Sequence, residues 1–578
     1  MPQAASISNT RIESRNSRRR VRSGCGTCRI RKVKCDEGRP ACHRCISTGR
    51  ACDGYGIWGG GSNSSVKLQQ SHSASQDVET VVARPLAPLS VLVATTSEEK
   101  YYFTWFKSQA MHKFSGAFAS KFWNTLILQM GFREPAVLHA VLALSSVHRR
   151  GVVINTCEQR DIKDTLYEQE QFALQSYVKA IRHLQPHFSV KDRTSFRVAL
   201  ATCLVFIAVE LLRGHFQAAI SHLQNGLKVL QDAELSVNVD DRNLRLKSGH
   251  ELADDWIVET FSVLQFQAEL FSLSYHGPFL IPPVVGHKPG SIMPQSLDEA
   301  WQQMQRLLNE ILHLAQTSCE EVPESESHLP PHTLLELQQH IRADLERWLY
   351  MYENLRKSLH GHMSYDENKR FTILSGYHTM AKIMLEVCLC PGNESIFDSH
   401  TTQFVFLVST LSELCAEAGT YLPTRLCRKL RPGNFVDMAH SYVDVGWLPP
   451  LYYTAIKCRI HRVRLQAIRL IEISSHREGI WDAETTACIA RKVMEIEERD
   501  FYRGVDIDDE FPLSSCPTPR DLSLPLIPDS YRIHGLEVVL HGDPMESIFL
   551  FREPNQEGRT GKVLISEYNI SSQCWVDR

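Results

Sequence analysis

The chain has 578 residues, of which 43% are hydrophobic and 22% charged, with a net charge of −3. This is the balance of a soluble globular protein with room for more than one domain and a large core. Residues 1–10 contain no apolar stretch of the kind a secretory signal needs, and the longest apolar run, Val198 to Val209, is too short to span a bilayer. We therefore expect no membrane contact, and the run reads as a buried helix. The small net charge conceals a division. Residues 1–52 hold thirteen Lys and Arg against three Asp and Glu, a side-chain charge of +10, which leaves −13 on the rest. Contact with a polyanion is expected at the N-terminal tenth, because the remainder would repel it.

In chain order, residues 1–22 form a basic arm expected to be disordered. Arg15, Arg18, Arg19, Arg20 and Arg22 make it a candidate nuclear import signal and a candidate to follow a nucleic-acid backbone. Residues 23–54 follow, with Cys25, Cys28, Cys35, Cys42, Cys45 and Cys52 at the spacing C-x2-C-x6-C-x6-C-x2-C-x6-C. A closed structural zinc site takes four thiolates. Six cannot furnish two separate sites, but they hold two zinc ions if two sulfurs bridge both metals. The repeat C-x2-C-x6-C occurs twice, which suggests the first sulfur of each half, Cys25 and Cys42, as the bridges. A disulfide framework would need an oxidising compartment. With six thiolates and two divalent ions the segment stays near +8, by the charges of the groups.

These residues resemble the fungal six-cysteine binuclear zinc cluster, a DNA-binding module. The match runs from Cys25-Gly-Thr-Cys28-Arg-Ile-Arg-Lys-Val-Lys34-Cys35 through Pro40 to Cys42-His-Arg-Cys45. The resemblance implies one zinc on Cys25, Cys28, Cys35 and Cys42, and a second on Cys25, Cys42, Cys45 and Cys52. It also implies that a short helix after the first C-x2-C enters the major groove of double-stranded DNA, with Lys32 on the base edges of a CGG triplet. Arg31 stands beside it, where the family has lysine. Lysine and arginine donating to guanine are the commonest base-specific contacts. Arg29, Lys34, Arg39 and Arg44 are then candidates for phosphates, which set register without reading sequence.

Residues 55–96, rich in Gly, Ser and Gln in their first half, read as a flexible linker. Gly54-Tyr-Gly56-Ile-Trp-Gly59 fits G-x-G-x-x-G but lacks the flanking strand and helix that a dinucleotide site requires. No apolar heptad follows the cluster, so the coiled coil that pairs many members of this family is missing by pattern. That leaves monomeric binding, or a homodimer formed through the helical domain.

Residues 97–530 show helical periodicity. Pro135 opens one helix, Phe172 to Leu184 lies within another, and Cys203–Glu210 and Ala218–Leu230 form a pair turned at Arg213-Gly214. Further helices are expected near 254–274, 296–316, 332–359, 368–390 and 399–418, then Leu451 to Ile473 and Asp482 to Glu498, joined at His476 to Gly479. The Cys203–Leu230 pair, Gly446 to Arg459 and His476 to Asp482 resemble the fungal-specific transcription factor domain of the second type. The resemblance implies an all-helical regulatory domain. Residues 531–578 contain Leu536–Leu540, Ile548–Phe551 and Lys562–Ile565, expected as two or three strands of a small β-rich appendage. The expected fold class is mainly α: a small N-terminal zinc cluster, a flexible linker, a large helical domain and this appendage.

An enzyme is not expected. Asp240-Asp241 and Asp254-Asp255 lack the third acidic ligand of a terpene synthase, His360 and His362 lack a third ligand, and no nucleophile elbow, P-loop or H-E-x-x-H occurs. The other eleven cysteines, most of them in apolar helical settings, read as reduced thiols. Acidic-hydrophobic Asp506 to Leu513 and acidic Glu320 to Glu326 are candidate contacts for coregulators. The expected function is a nuclear, sequence-specific transcription factor of RNA polymerase II genes, with two zinc ions and double-stranded DNA as partner. It would regulate a metabolic or secondary-metabolite pathway. The alternative is a helical scaffold or ligand sensor tethered to chromatin without strong sequence choice.

Overall fold

A computed structural model describes residues 27–28, 31, 33–36, 42–48, 96–114, 116–156, 163–190, 192–240, 252–272, 296–319, 331–359, 363–419, 446–474, 476–554 and 561–578. The chain divides into two compact units, Met1–Leu86 and Ala87–Arg578. Among the described residues the protein is mainly α, with a two-stranded hairpin and a four-stranded sheet near its C-terminus.

In the first unit the described regular elements are a helical turn at Thr27 and Cys28 and the short helix α1 (His43–Ile46). The second unit opens with α2 (Ser97–Trp105). Thr96 accepts the Glu99 amide while Glu99 reaches back to the Thr96 amide, so two otherwise orphaned donors are satisfied. Then come α3 (Pro135–Thr156), α4 (Lys163–Ser189), α5 (Arg193–Arg213) and α6 (Phe216–Asp240). Pro135 stands at the first position of α3, where its missing N–H costs nothing. Asp192 caps α5 by accepting the Ser195 amide at 2.7 Å. Gly214 ends α5 at φ +77°, a left-handed conformation that glycine adopts without strain, and this reverses the chain into α6 as the sequence predicts.

Among the described residues α5 is the one helix long and apolar enough to cross a membrane. It is instead the centre of the core. Of its most apolar window, 78% is buried, and it packs against α3, α4 and α6. A helix apolar on every face needs neighbours on every face, and here the protein supplies them.

Next come α7 (Leu252–Leu270), α8 (Leu297–Cys319), α9 (Pro331–Ser358), α10 (Tyr365–Val387) and α11 (Thr401–Gly419). Helix α8 shows the three-and-four spacing of a surface helix and buries Trp301, Met304, Leu308 and Ile311. Trp348 on α9 donates its indole N–H to the Ala300 carbonyl at 2.9 Å, so its large ring is buried without an orphaned donor.

The continuous helix expected over Leu451–Ile473 is two helices, α12 (Leu448–Lys457) and α13 (His461–Ile473), broken by extended backbone at Cys458 and Ile460. The break turns Arg459 inward, where its guanidinium meets Glu394 and Glu497, both at 3.1 Å. Arg464, fully buried, donates to the Ala455 carbonyl and pairs with Glu497 at 2.8 Å. Two buried cations need carboxylates at fixed places, and a straight helix could not deliver both. The expected loop at 476–479 is a small hairpin of β1 (Arg477–Glu478) and β2 (Trp481–Asp482). Asp482 then caps α14 (Ala483–Glu498) by accepting the Thr485 amide.

The tail has four strands where two or three are expected. They are β3 (Glu537–His541), β4 (Ser547–Arg552), β5 (Val563–Asn569) and β6 (Cys574–Asp577), an antiparallel meander in that order. Strand β6 has four residues and no alternation of its own to signal it. The sheet is not set apart from the helices. Val538, Leu540, Ile548 and Leu550 belong to the main core, and the Val538 amide bonds the Ser272 carbonyl at 2.8 Å.

Candidate metal centre and nucleic-acid interface

Within the first unit the Arg31 amide donates to the Thr27 carbonyl and the Val33 amide to that of Cys28, a helical turn that carries Cys28 inward. Cys42 plays the same part in the second half as N-cap of α1, its Sγ accepting the Cys45 amide at 3.3 Å. Cys28, Cys42 and Cys45 are buried and Cys35 is half-buried. The sulfurs of Cys28, Cys35 and Cys42 all lie within 4.8 Å of one another. Cys28 Sγ is 3.7 Å from Cys42 Sγ and 3.9 Å from Cys45 Sγ. A disulfide would need about 2.0 Å. Two sulfurs on one tetrahedral zinc, with Zn–S near 2.3 Å, stand about 3.8 Å apart, close to the separation of Cys28 and Cys42, which the resemblance puts on one metal. The donor set therefore fits zinc. Thiols of both halves converge on a single buried knot, as bridged metals require.

Asp36 is a residue that the sequence reading missed. Its carboxylate accepts the His43 amide at 2.8 Å and the Arg44 amide at 3.0 Å, tying the end of the first half to the start of α1. A signal was present in the repeat, since Asp follows the last cysteine of each half, at Cys35-Asp36 and Cys52-Asp53. Arg31 makes a second tie. It is half-buried and donates to Thr48 Oγ1 at 3.2 Å, while Thr48 donates to the Arg44 carbonyl. Lys34 and Arg44 are exposed. Cys25, Cys52, Arg29, Lys32, Arg39 and the arm with Arg15, Arg18, Arg19, Arg20 and Arg22 lie outside the described residues, as do the linker before Thr96, Glu320 to Glu326, and His360 with His362.

Residues 23–57 match the family model of the fungal Zn(2)-Cys(6) binuclear cluster domain, and residues 101–280 match that of the fungal specific transcription factor domain. The chain belongs to the fungal Zn(2)-Cys(6) transcription regulators. Its cluster domain binds two zinc ions. Over 87% of its length the regulator is 24% identical to the aspercryptin biosynthesis cluster-specific transcription regulator atnN of Emericella nidulans, 92% of which is covered. It is 25% identical to the transcription regulator lscL of Purpureocillium lilacinum over 40% of this chain and 55% of that one. It is 37% identical to the transcriptional regulatory protein moc3 of Schizosaccharomyces pombe over 15% of this chain and 16% of that one. No solved structure matches.

The matched helical region ends at residue 280, so the segments Gly446–Arg459 and His476–Asp482 lie beyond it. In the regulator these two segments meet. Glu478, wholly buried, accepts the amides of Gly446, Trp447 and Leu448 at 2.8, 3.0 and 3.0 Å, and lies 2.7 Å from His476 Nε2. The carboxylate thereby satisfies the open N-terminus of α12. A Cβ on Gly446 would sit 2.3 Å from Glu478 Oε1, so glycine is needed for this approach.

Asp506–Leu513, the candidate coregulator contact, is docked on α13. The Phe511 ring lies 3.1 Å from the Arg462 guanidinium carbon and 4.8 Å from that of Arg469, and Gln466 donates to the Leu513 carbonyl. Asp509 pairs with His461 at 2.8 Å and Asp506 with Arg520 at 2.6 Å, so the segment is held by charge as well as by its aromatic ring. Asp254, weighed above as a metal ligand, is gripped by Arg193 and Arg197. Burial pushes the thiols of Cys203 and Cys488 up to about 12 and those of Cys388 and Cys458 up to about 11, whereas Cys319, Cys390, Cys516 and Cys574 are exposed. A cavity of about 860 Å³ lies beside α13, α14 and the sheet. Several of the charges lining it already have partners: Arg491 with Glu472, Arg532 with Asp398 and Arg578 with Glu567.

Proposed function

We propose that this regulator acts in the nucleus as a sequence-specific reader of double-stranded DNA at RNA polymerase II genes, on CGG-type elements. One zinc is held by Cys25, Cys28, Cys35 and Cys42, and the other by Cys25, Cys42, Cys45 and Cys52. Lys32 reads base edges, and Arg29, Lys34, Arg39 and Arg44 hold phosphates. Arg31 has a second duty, keeping the two halves of the cluster in register through Thr48. The arm with Arg15, Arg18, Arg19, Arg20 and Arg22 serves import. The observation that carries this reading is the convergence of thiols from both halves inside a segment of side-chain charge +10. The full-length relationship to a regulator named for aspercryptin biosynthesis supports control of a secondary-metabolite pathway.

Selection of binding sites from random duplex DNA with the zinc-loaded full chain tests it. A CGG-containing motif is expected. Lys32→Ala should cost about 1–3 kcal/mol on that motif and relax the choice at one position. Uniform weakening on every sequence would demote Lys32 to a phosphate contact, and the absence of any enriched motif would favour a chromatin tether.

A further inference from the structure

Helix α4 has two apolar faces. One carries Phe172, Ala173, Ala180 and Leu184, buried in the helical core beside α3 and α5. The other carries Tyr167, Leu174, Val178, Ile181 and Phe188, which are 70, 46, 54, 41 and 66% exposed. Tyr167, Leu174, Ile181 and Phe188 stand seven residues apart, and Val178 falls between two of them, four after Leu174 and three before Ile181. That is the spacing of a helix-pairing seam. Gln171 and Gln185 occupy the matching positions on either side of Val178, which confines the continuous apolar stretch to Leu174, Val178 and Ile181. The seam runs for about 32 Å at 1.5 Å per residue.

We propose that this face of α4 is the homodimer interface of the regulator, paired antiparallel with α4 of a second copy. Charge selects both the occupant and the direction. Glu168 and Arg182 border the seam near its opposite ends, both exposed and neither in an ion pair with another described residue. Antiparallel pairing about a two-fold axis sets Leu174 against Val178 of the second copy and Glu168 beside its Arg182, twice. Parallel pairing would keep Glu168 and Arg182 about 21 Å apart along the helix axis at 1.5 Å per residue, and neither pair would form. The seam is small compared with the roughly 800 Å² per partner of a standard interface. Association in solution is therefore weak, and it strengthens when two chains share one DNA molecule and their effective concentration rises. The sequence after the cluster carries no apolar heptad, and on this proposal α4 supplies the pairing that would set the spacing of half-sites.

Sedimentation equilibrium of the full zinc-loaded chain without DNA tests the interface apart from DNA reading. A concentration-dependent dimer is expected. The double variant Leu174→Glu, Ile181→Glu should be monomeric with unchanged helical circular dichroism. Glu168→Arg and Arg182→Glu should each weaken the dimer by about tenfold, the scale of one well-placed interface charge pair, and the two together in one chain should restore it. A chain that stays monomeric up to about 100 μM, a range that includes weak dimers, overturns the proposal. So does a dimer indifferent to the seam variants, a charge swap without rescue, or a monomer whose residues 167–188 are nevertheless protected from hydrogen exchange, which would mean that another segment of the same chain covers them.

Discussion

Glu478 sits at the meeting of two distant stretches of chain, and its three amide partners are the first residues at the mouth of α12. Leaving buried donors unpaired costs about 1–3 kcal/mol each. Glu478→Ala is therefore expected to lower the stability of the large domain by at least about 3 kcal/mol, measured as a shift of the denaturant midpoint. Gly446→Ala should act through the same contact, by forcing the carboxylate away. A near-wild-type midpoint in both variants would mean that water replaces the carboxylate. Both residues were legible as parts of notable segments. That each exists for the other was not, because a sequence separation of 32 residues hides the contact. Asp36 is the opposite case. Its role is local to one short module, and the repeated Cys-Asp pair advertised it.

At the scale of elements, periodicity predicted helices wherever one face is apolar and the other polar, as in α8. It failed where burial was paid for by charge. The run from Leu451 to Ile473 reads as one helix, yet the buried guanidinia of Arg459 and Arg464 oblige it to break. It also missed β6, whose pairing with β5 is fixed by the meander rather than by its own residues. The docked segment Asp506–Leu513 belongs to this scale. The interaction of a ring with a cation is worth about 0.5–2 kcal/mol. Phe511→Ala should therefore release the segment, with hydrogen exchange at 506–515 rising by about tenfold, as 1.4 kcal/mol per factor of ten requires. Unchanged exchange would show that the polar ties of His461, Arg462, Gln466, Arg469 and Arg520 hold it without the ring.

Across the whole molecule, charge is divided as structure is. The first unit has few apolar residues to bury, and its described core is a cluster of cysteines. Its folding must come from metal, for which structural zinc supplies about 10–16 kcal/mol of apparent free energy. The second unit has an extensive apolar core and needs none. Chelation should therefore abolish DNA binding in a gel-shift assay while the helical circular dichroism of the chain is nearly unchanged. Retained affinity after zinc removal would refute metal-dependent folding of the reader.

The sequence by itself determined the metal, the family and the location of positive charge. Cysteine spacing and net charge are properties of short, contiguous chain, and coordination chemistry leaves few ways to use them. Only the tertiary structure decided which side of each long helix is covered, where buried charges break a helix, and that the C-terminal sheet completes the core. Those outcomes depend on which distant surfaces meet, and a one-dimensional pattern records only that a surface is apolar, not what lies against it. Helix α4 marks the boundary between the two. Its second apolar face is written plainly in the sequence, but only the fold shows that the rest of the described chain leaves it open.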